Sequence, residues 1–138
     1  MLYFETITFE SEGSWYSINI TEQVRDILKR SGLKQGMMLI FYQHTTGGVM
    51  VIEHEAGFLA DFEDNLERLI PSNGDYLHHL RGVDRNGAAH VRTAIIPISV
   101  VIPVQTGDLA LGEYQDILVV DMQPELKMRS VLIQVMGE

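Results

Sequence analysis

From Leu2 to Phe9, aromatic and β-branched residues alternate with polar ones, the period-two pattern of a strand with one wet face. Ser14 to Ile20 reads as a second strand after the Glu12-Gly13 turn. Thr21 then stands as the expected N-cap of a helix through Lys29. Val24, Ile27 and Leu28 form its apolar face and Gly32 its C-terminal cap. Met37 to Tyr42 is a continuous apolar run, as in a buried strand. After His44-Thr45-Thr46-Gly47, Gly48 to Glu53 predicts another strand. Phe58, Leu59, Phe62, Leu66, Leu69 and Ile70 recur at helical spacing between Ala56 and Ile70, and Pro71 stops that helix.

Ser72 to Arg85 has little periodicity and reads as a long loop, and such loops in compact domains are more often functional than idle. Asn86 is placed to cap a short helix running to about Ile95. Ile98 to Val104, Tyr114 to Met122 and Lys127 to Val135 are strand-like, with a turn at Gln105-Thr106-Gly107-Asp108. Strands dominate and the helices are too few for regular βαβ crossovers. The pattern therefore predicts one α+β domain over residues 1–138, mainly an antiparallel sheet or barrel with two longer helices and one short one.

Charge narrows the partners. Nineteen acids against ten Lys and Arg give a net charge of -9, which argues against nucleic acid but not against a small anion held by local cations. Cysteine is absent, so the strong metal ligands are His, Asp and Glu. No basic leader and no apolar run approaching the roughly 20 residues of a membrane span is present, and a cytoplasmic protein is the expectation.

Of the five histidines, His44, His78 and His90 fall at expected element boundaries, where catalytic groups tend to sit on a rigid scaffold. No pair has the one-turn spacing of a zinc protease, so a metal site on these three has to be assembled from separate segments. Taken singly, a histidine is more often exposed or structural. Glu53 ends a strand beyond the turn at His44, and a hairpin-like return is expected to bring the two together. Asp61 lies at the edge of its helix's apolar stripe, and Asp84 is a loop acid beside Arg85. Thr45-Thr46-Gly47-Gly48 offers hydroxyls and backbone amides for phosphate oxygens without a Walker lysine, so it is not a P-loop. Arg81, Arg85, Arg92 and Arg129 are the phosphate partners nearest these segments.

Read in order, Gln43-His44-Thr45-Thr46-Gly47-Gly48, Glu53, the run Asp61 through Pro71, Gly74, Tyr76, His78, Gly82, Asp84 and His90-Val91-Arg92 resemble the YjbQ-like family. Ile102-Pro103-Val104, Gly107, Leu109-Ala110-Leu111-Gly112, Gln115 and Ile117 continue the likeness over nearly the whole chain. The resemblance implies a compact α+β fold, a homotrimer with a pocket near the subunit interface, and functional roles for His44, Thr45, Glu53, Asp61, His78, Asp84 and His90. His54 and His79 have no counterpart in it and read as structural. Where the family usually carries Asn on either side of the glutamate, this chain has Ile52 and His54, which puts identical substrate choice in question.

The activity proposed for that family is thiamine-phosphate synthesis, joining a pyrimidine pyrophosphate to a thiazole phosphate with release of pyrophosphate. On that expectation His44 or His90 serves as general acid, and Glu53 or Asp61 as metal ligand or charge stabiliser. Thr45, Thr46, Asp84 and Arg92 bind substrate, and a divalent ion, zinc or magnesium, sits on His44, His78 and His90. The rival expectations are a metal-dependent hydrolase of a small phosphorylated or amide substrate, and a non-enzymatic metabolite-binding trimer.

Overall fold

A computed structural model describes residues 1–82 and 85–138, apart from the side chain of Arg81. Its strands are β1 (Leu2–Ser11), β2 (Tyr16–Asn19), β3 (Gly36–Tyr42), β4 (Gly47–Ile52), β5 (Ser99–Gln105), β6 (Asp108–Leu109), β7 (Asp116–Asp121) and β8 (Lys127–Gly137). Its helices are α1 (Thr21–Ser31), α2 (Ala56–Leu69) and α3 (Gly87–Thr93), with a 3-10 turn at Leu77–Arg81. Every pairing is antiparallel, in the orders β1-β8-β3-β5-β6 and β2-β7-β4, as expected of an α+β chain without βαβ units.

Two apolar cores explain the sequence pattern. The inner residues of the larger sheet, Met38, Ile40, Tyr42, Ile102, Val131, Ile133 and Val135, meet Val49, Ile117 and Val119 of the smaller sheet and Val24, Ile27 and Leu28 of α1. The other face of the smaller sheet, Met50, Leu118, Val120 and Met122, packs under Leu66 of α2, Ala89 of α3 and Ile96 just beyond it. A sheet covered on both faces needs apolar residues at successive positions rather than alternating ones. The run Ile117–Val120 is therefore buried throughout, whereas β1 alternates along its length.

The termini differ from the pattern in instructive ways. The N-cap position of α1 is Ile20, and Thr21 is its first helical residue. The Thr21 hydroxyl donates to Asn19 Oδ1 and accepts from the Ile117 amide, so it ties the helix start to β7 rather than capping the helix. Asn86 does occupy the N-cap position of α3, but its side chain turns away to other partners. Gly32 ends α1 in the left-handed conformation, φ 74°, as a glycine cap should. Thr106 and Gly107, both at positive φ, turn β5 into the two-residue strand β6, which the pattern alone does not reveal. Among the described residues, no helix is long and apolar enough to cross a membrane.

Candidate functional site

The segment 43–46 carries the chain from β3 in the larger sheet to β4 in the smaller one, so β3 and β4 are not a hydrogen-bonded hairpin. Gly47 and Gly48 serve this crossing by close backbone approach. A Cβ on Gly47 would lie 2.1 Å from the Val120 carbonyl oxygen, and one on Gly48 2.1 Å from that of Pro97. The crossing opens a cavity of about 480 Å³ lined by Gln43, His44, Thr45, Thr46, His78, Asn86, His90, Gln123, Lys127 and Arg129.

Beneath it lies a buried carboxylate, that of Asp121 at the end of β7. Tyr42 donates its hydroxyl to Asp121 Oδ2 at 2.5 Å, Thr46 donates to Oδ1 at 3.1 Å, and the Gln123 amide donates to Oδ1 at 2.8 Å. Arg129 Nε stands 2.9 Å from Oδ2, an ion pair in which the N–H is not aligned on that oxygen. Arg129 Nη2 donates to Thr46 Oγ1 at 3.1 Å. Burial and the Asp121 hydrogen bond both push the Tyr42 phenol pKa well up, so it stays a donor.

His44 is held by this framework. The Ser130 amide donates to its Nε2 at 2.8 Å, so the lone pair is there and the neutral ring carries its proton on Nδ1. Nδ1 faces Arg129 Nη1 at 3.4 Å, two donors side by side. Burial first, and the Arg129 charge second, lower the His44 pKa. Acting as a general acid would require a second proton on Nε2, giving up the Ser130 amide in a setting that opposes the charge.

Across the cavity stand two more imidazoles, His78 from the 3-10 turn and His90 from α3, with ring centroids 4.5 Å apart. His78 Nε2 lies 3.1 Å from Asn86 Oδ1, and Asn86 Nδ2 donates to Gln123 Oε1 at 2.9 Å. The Asn86 amide thus links the His78 ring to the chain just past Asp121. His79 points elsewhere: its Nε2 accepts from the Gly87 amide at 3.0 Å and so supports the start of α3.

The cavity gathers His44, Thr45, Thr46, His78 and His90 from the sequence-based expectations, and leaves three others outside. Glu53 follows the far end of β4, whose six residues at roughly 3.3 Å each carry it about 20 Å from the crossing. The expected hairpin return fails because β4 pairs with β7, not β3. Asp61 is exposed on α2. Arg92, expected to bind substrate, is buried: its guanidinium donates to the Ile70 carbonyl, Glu67 and Ser72 and stacks over Trp15, closing the end of α2. Asp84 lies outside the described residues. Among those described, no three His, Asp or Glu side chains are placed to share a metal ion, and His44 has already spent its lone pair. With that lone pair taken, His44 offers no ligand to an ion shared with His78 and His90.

Residue-type reasoning passed over Tyr42, Asp121, Asn86, Gln123 and Lys127. A signal did exist for Asp121: an acid closing the apolar run Ile117–Val120 has to be paired if the strand is buried.

Over residues 5–138 the chain matches the family described as UPF0047 protein YjbQ-like. A UPF0047 protein of Methanothermobacter thermautotrophicus is 30% identical over 121 residues, covering 88% of this chain and 82% of that protein. Another, from Archaeoglobus fulgidus, is 37% identical over 101 residues, 73% of this chain and 76% of its own. A crystal structure of a YbjQ-like protein of unknown function from Sulfolobus solfataricus P2 has a TM-score of 0.93 at 29% identity, covering 100% of this chain and 99% of that one. With the match spanning both sheets and every element of the cavity, the chain belongs to the YjbQ-like UPF0047 family.

Proposed function

We propose that the cavity binds a small phosphorylated metabolite and transforms it, with His78 and His90 as the acid–base pair. The observation that carries this reading is the charge of the lining. In a chain of net charge -9, the described residues lining the cavity include Lys127 and Arg129 and no Asp or Glu. Among the described residues, the carboxylate of the framework is that of Asp121, which is buried beneath and already accepts from Tyr42, Thr46 and the Gln123 backbone amide. A local excess of cation in an acidic protein suits an anionic ligand and disfavours a cationic one.

The reaction we infer is the condensation of a pyrimidine pyrophosphate with a thiazole phosphate, to give thiamine phosphate. The thiazole nitrogen bonds to the pyrimidine methylene carbon as that carbon's bond to oxygen breaks, and pyrophosphate leaves with the electron pair. A cationic wall stabilises the charge developing on the leaving group. An imidazole able to deliver a proton to it assists further. The protein is taken to act as a homotrimer, the state the family resemblance implies.

The test is direct. Purified protein is incubated with both substrates, and thiamine phosphate and pyrophosphate are quantified together. Equal amounts of both are expected, and His78→Asn or His90→Asn should each lower turnover by about 10²–10⁴-fold. Phosphate or pyrophosphate released without condensation product would replace this reading with the hydrolase. Tight ligand retention without turnover would select the binding protein.

A further inference from the structure

We propose that Lys127, rather than Arg129, is the cation that anchors the anionic end of the ligand, and that Arg129 belongs to the framework. This rests on the anion-binding reading of the cavity and adds the residue that carries it. Lys127 and Arg129 stand two apart on β8, so both side chains leave the same face of the strand, and both line the cavity. Their surroundings differ sharply. The Arg129 side chain is 11% exposed, ion-paired with Asp121 and donating to Thr46, with the His44 ring packed beside it. Its charge is matched by a carboxylate that is itself fully buried, and drawing the guanidinium toward a ligand would strand that carboxylate.

Lys127 is 50% exposed, and among the described residues its ion pair is with Glu125 at 3.9 Å, beyond hydrogen-bond length. Glu125 is 67% exposed, so the pair is a weak one that an entering anion can replace. The Lys127 backbone, by contrast, is fixed. It pairs with Ser11 of β1, whose hydroxyl donates to the Lys127 carbonyl at 3.2 Å. The residue is thus a mobile cation on a rigid stem, at the wall formed by β8. The imidazoles of His78 and His90 come from the 3-10 turn and α3. A phosphate or pyrophosphate group held at Lys127 leaves the remainder of the ligand to those rings.

Titration calorimetry with inorganic pyrophosphate tests this on the intact protein. Wild type is expected to bind, with affinity falling as salt rises. Lys127→Met should weaken binding by about tenfold to a hundredfold, the loss of one charge-assisted hydrogen bond. Lys127→Arg should keep it within about threefold, and Glu125→Gln should leave it equal or tighter, because the competing carboxylate is gone. Half-exposed side chains are safe to replace, and circular dichroism checks that each variant folds. Wild-type binding that survives Lys127→Met unchanged overturns the anchor while leaving the cavity's anion preference standing. No pyrophosphate binding by wild type overturns both.

Discussion

At the scale of single residues, the geometry redistributes roles among the histidines. The sequence and the family resemblance both assign His44 a functional role, yet its ring accepts the Ser130 amide and sits against a guanidinium. Replacing it with Phe, close in shape but without the lone pair, should cost about 1–3 kcal/mol by leaving that amide unpaired. The pH dependence of this cost has a definite sign. Burial and Arg129 lower the pKa of His44 in the fold, so below the unfolded value of about 6.5 the unfolded chain binds more protons. The stability His44 contributes is complete above about pH 6.5 and is lost as the pH falls toward and through the lower folded value. Urea titrations of wild type and His44→Phe should therefore show the gap between them narrowing as the pH is lowered from 7. A gap that widens on acidification would mean that the ring is held as imidazolium and available as an acid.

At the scale of elements, one buried carboxylate fastens the two sheets to each other. Asp121 closes β7 of the smaller sheet, while Tyr42 ends β3 and Arg129 lies on β8 of the larger one. Asp121→Asn keeps the shape but leaves the Arg129 charge buried without its counter-ion, and a loss of about 3–5 kcal/mol is expected. Against a total of about 5–15 kcal/mol this is severe, and it should appear as a large drop in the denaturation midpoint. Adding Arg129→Met should return part of the loss, because the uncompensated charge goes with it. If the double variant is less stable than Asp121→Asn by the full cost of a second independent change, the two residues are not coupled.

The same elements show what could be read from the chain. Strand and helix positions were legible because each is governed by its own periodicity, and β1, α1, β3 and α2 all begin within a residue of expectation. What periodicity cannot supply is which strand pairs with which. A position for Glu53 beside His44 requires a hairpin between β3 and β4, and the crossing between sheets sends it away. Arg92 was legible as a cation near the site but not as the partner of the Ile70 carbonyl, since that contact depends on how α2 meets α3. Asp121 and Tyr42 sat in apolar runs that composition reads as core, and only the pairing of β7 with β4 brings Asp121 beneath Thr46.

At the scale of the whole molecule, the outer face of the five-stranded sheet carries more apolar surface than a solvated strand face needs. Leu2, Met136 and Met37 lie in one cross-strand row, and Phe4, Gln134, Leu39 and Val101 in the next. Phe4 is 67% exposed and Val101 58%, with Leu2, Met37, Phe41 and Met136 also open. A contiguous patch across four strands marks an interaction surface. The occupant we propose is a second copy of the chain, and the family resemblance sets the number at three. Sedimentation velocity should give a trimer at micromolar concentration. Val101→Lys with Phe4→Glu places charges where a neighbouring subunit has to desolvate them, and should release smaller species that keep the wild-type circular dichroism spectrum. A stable monomer for the wild-type chain would remove the trimer. A trimer unaffected by both charges would move its interface off this sheet.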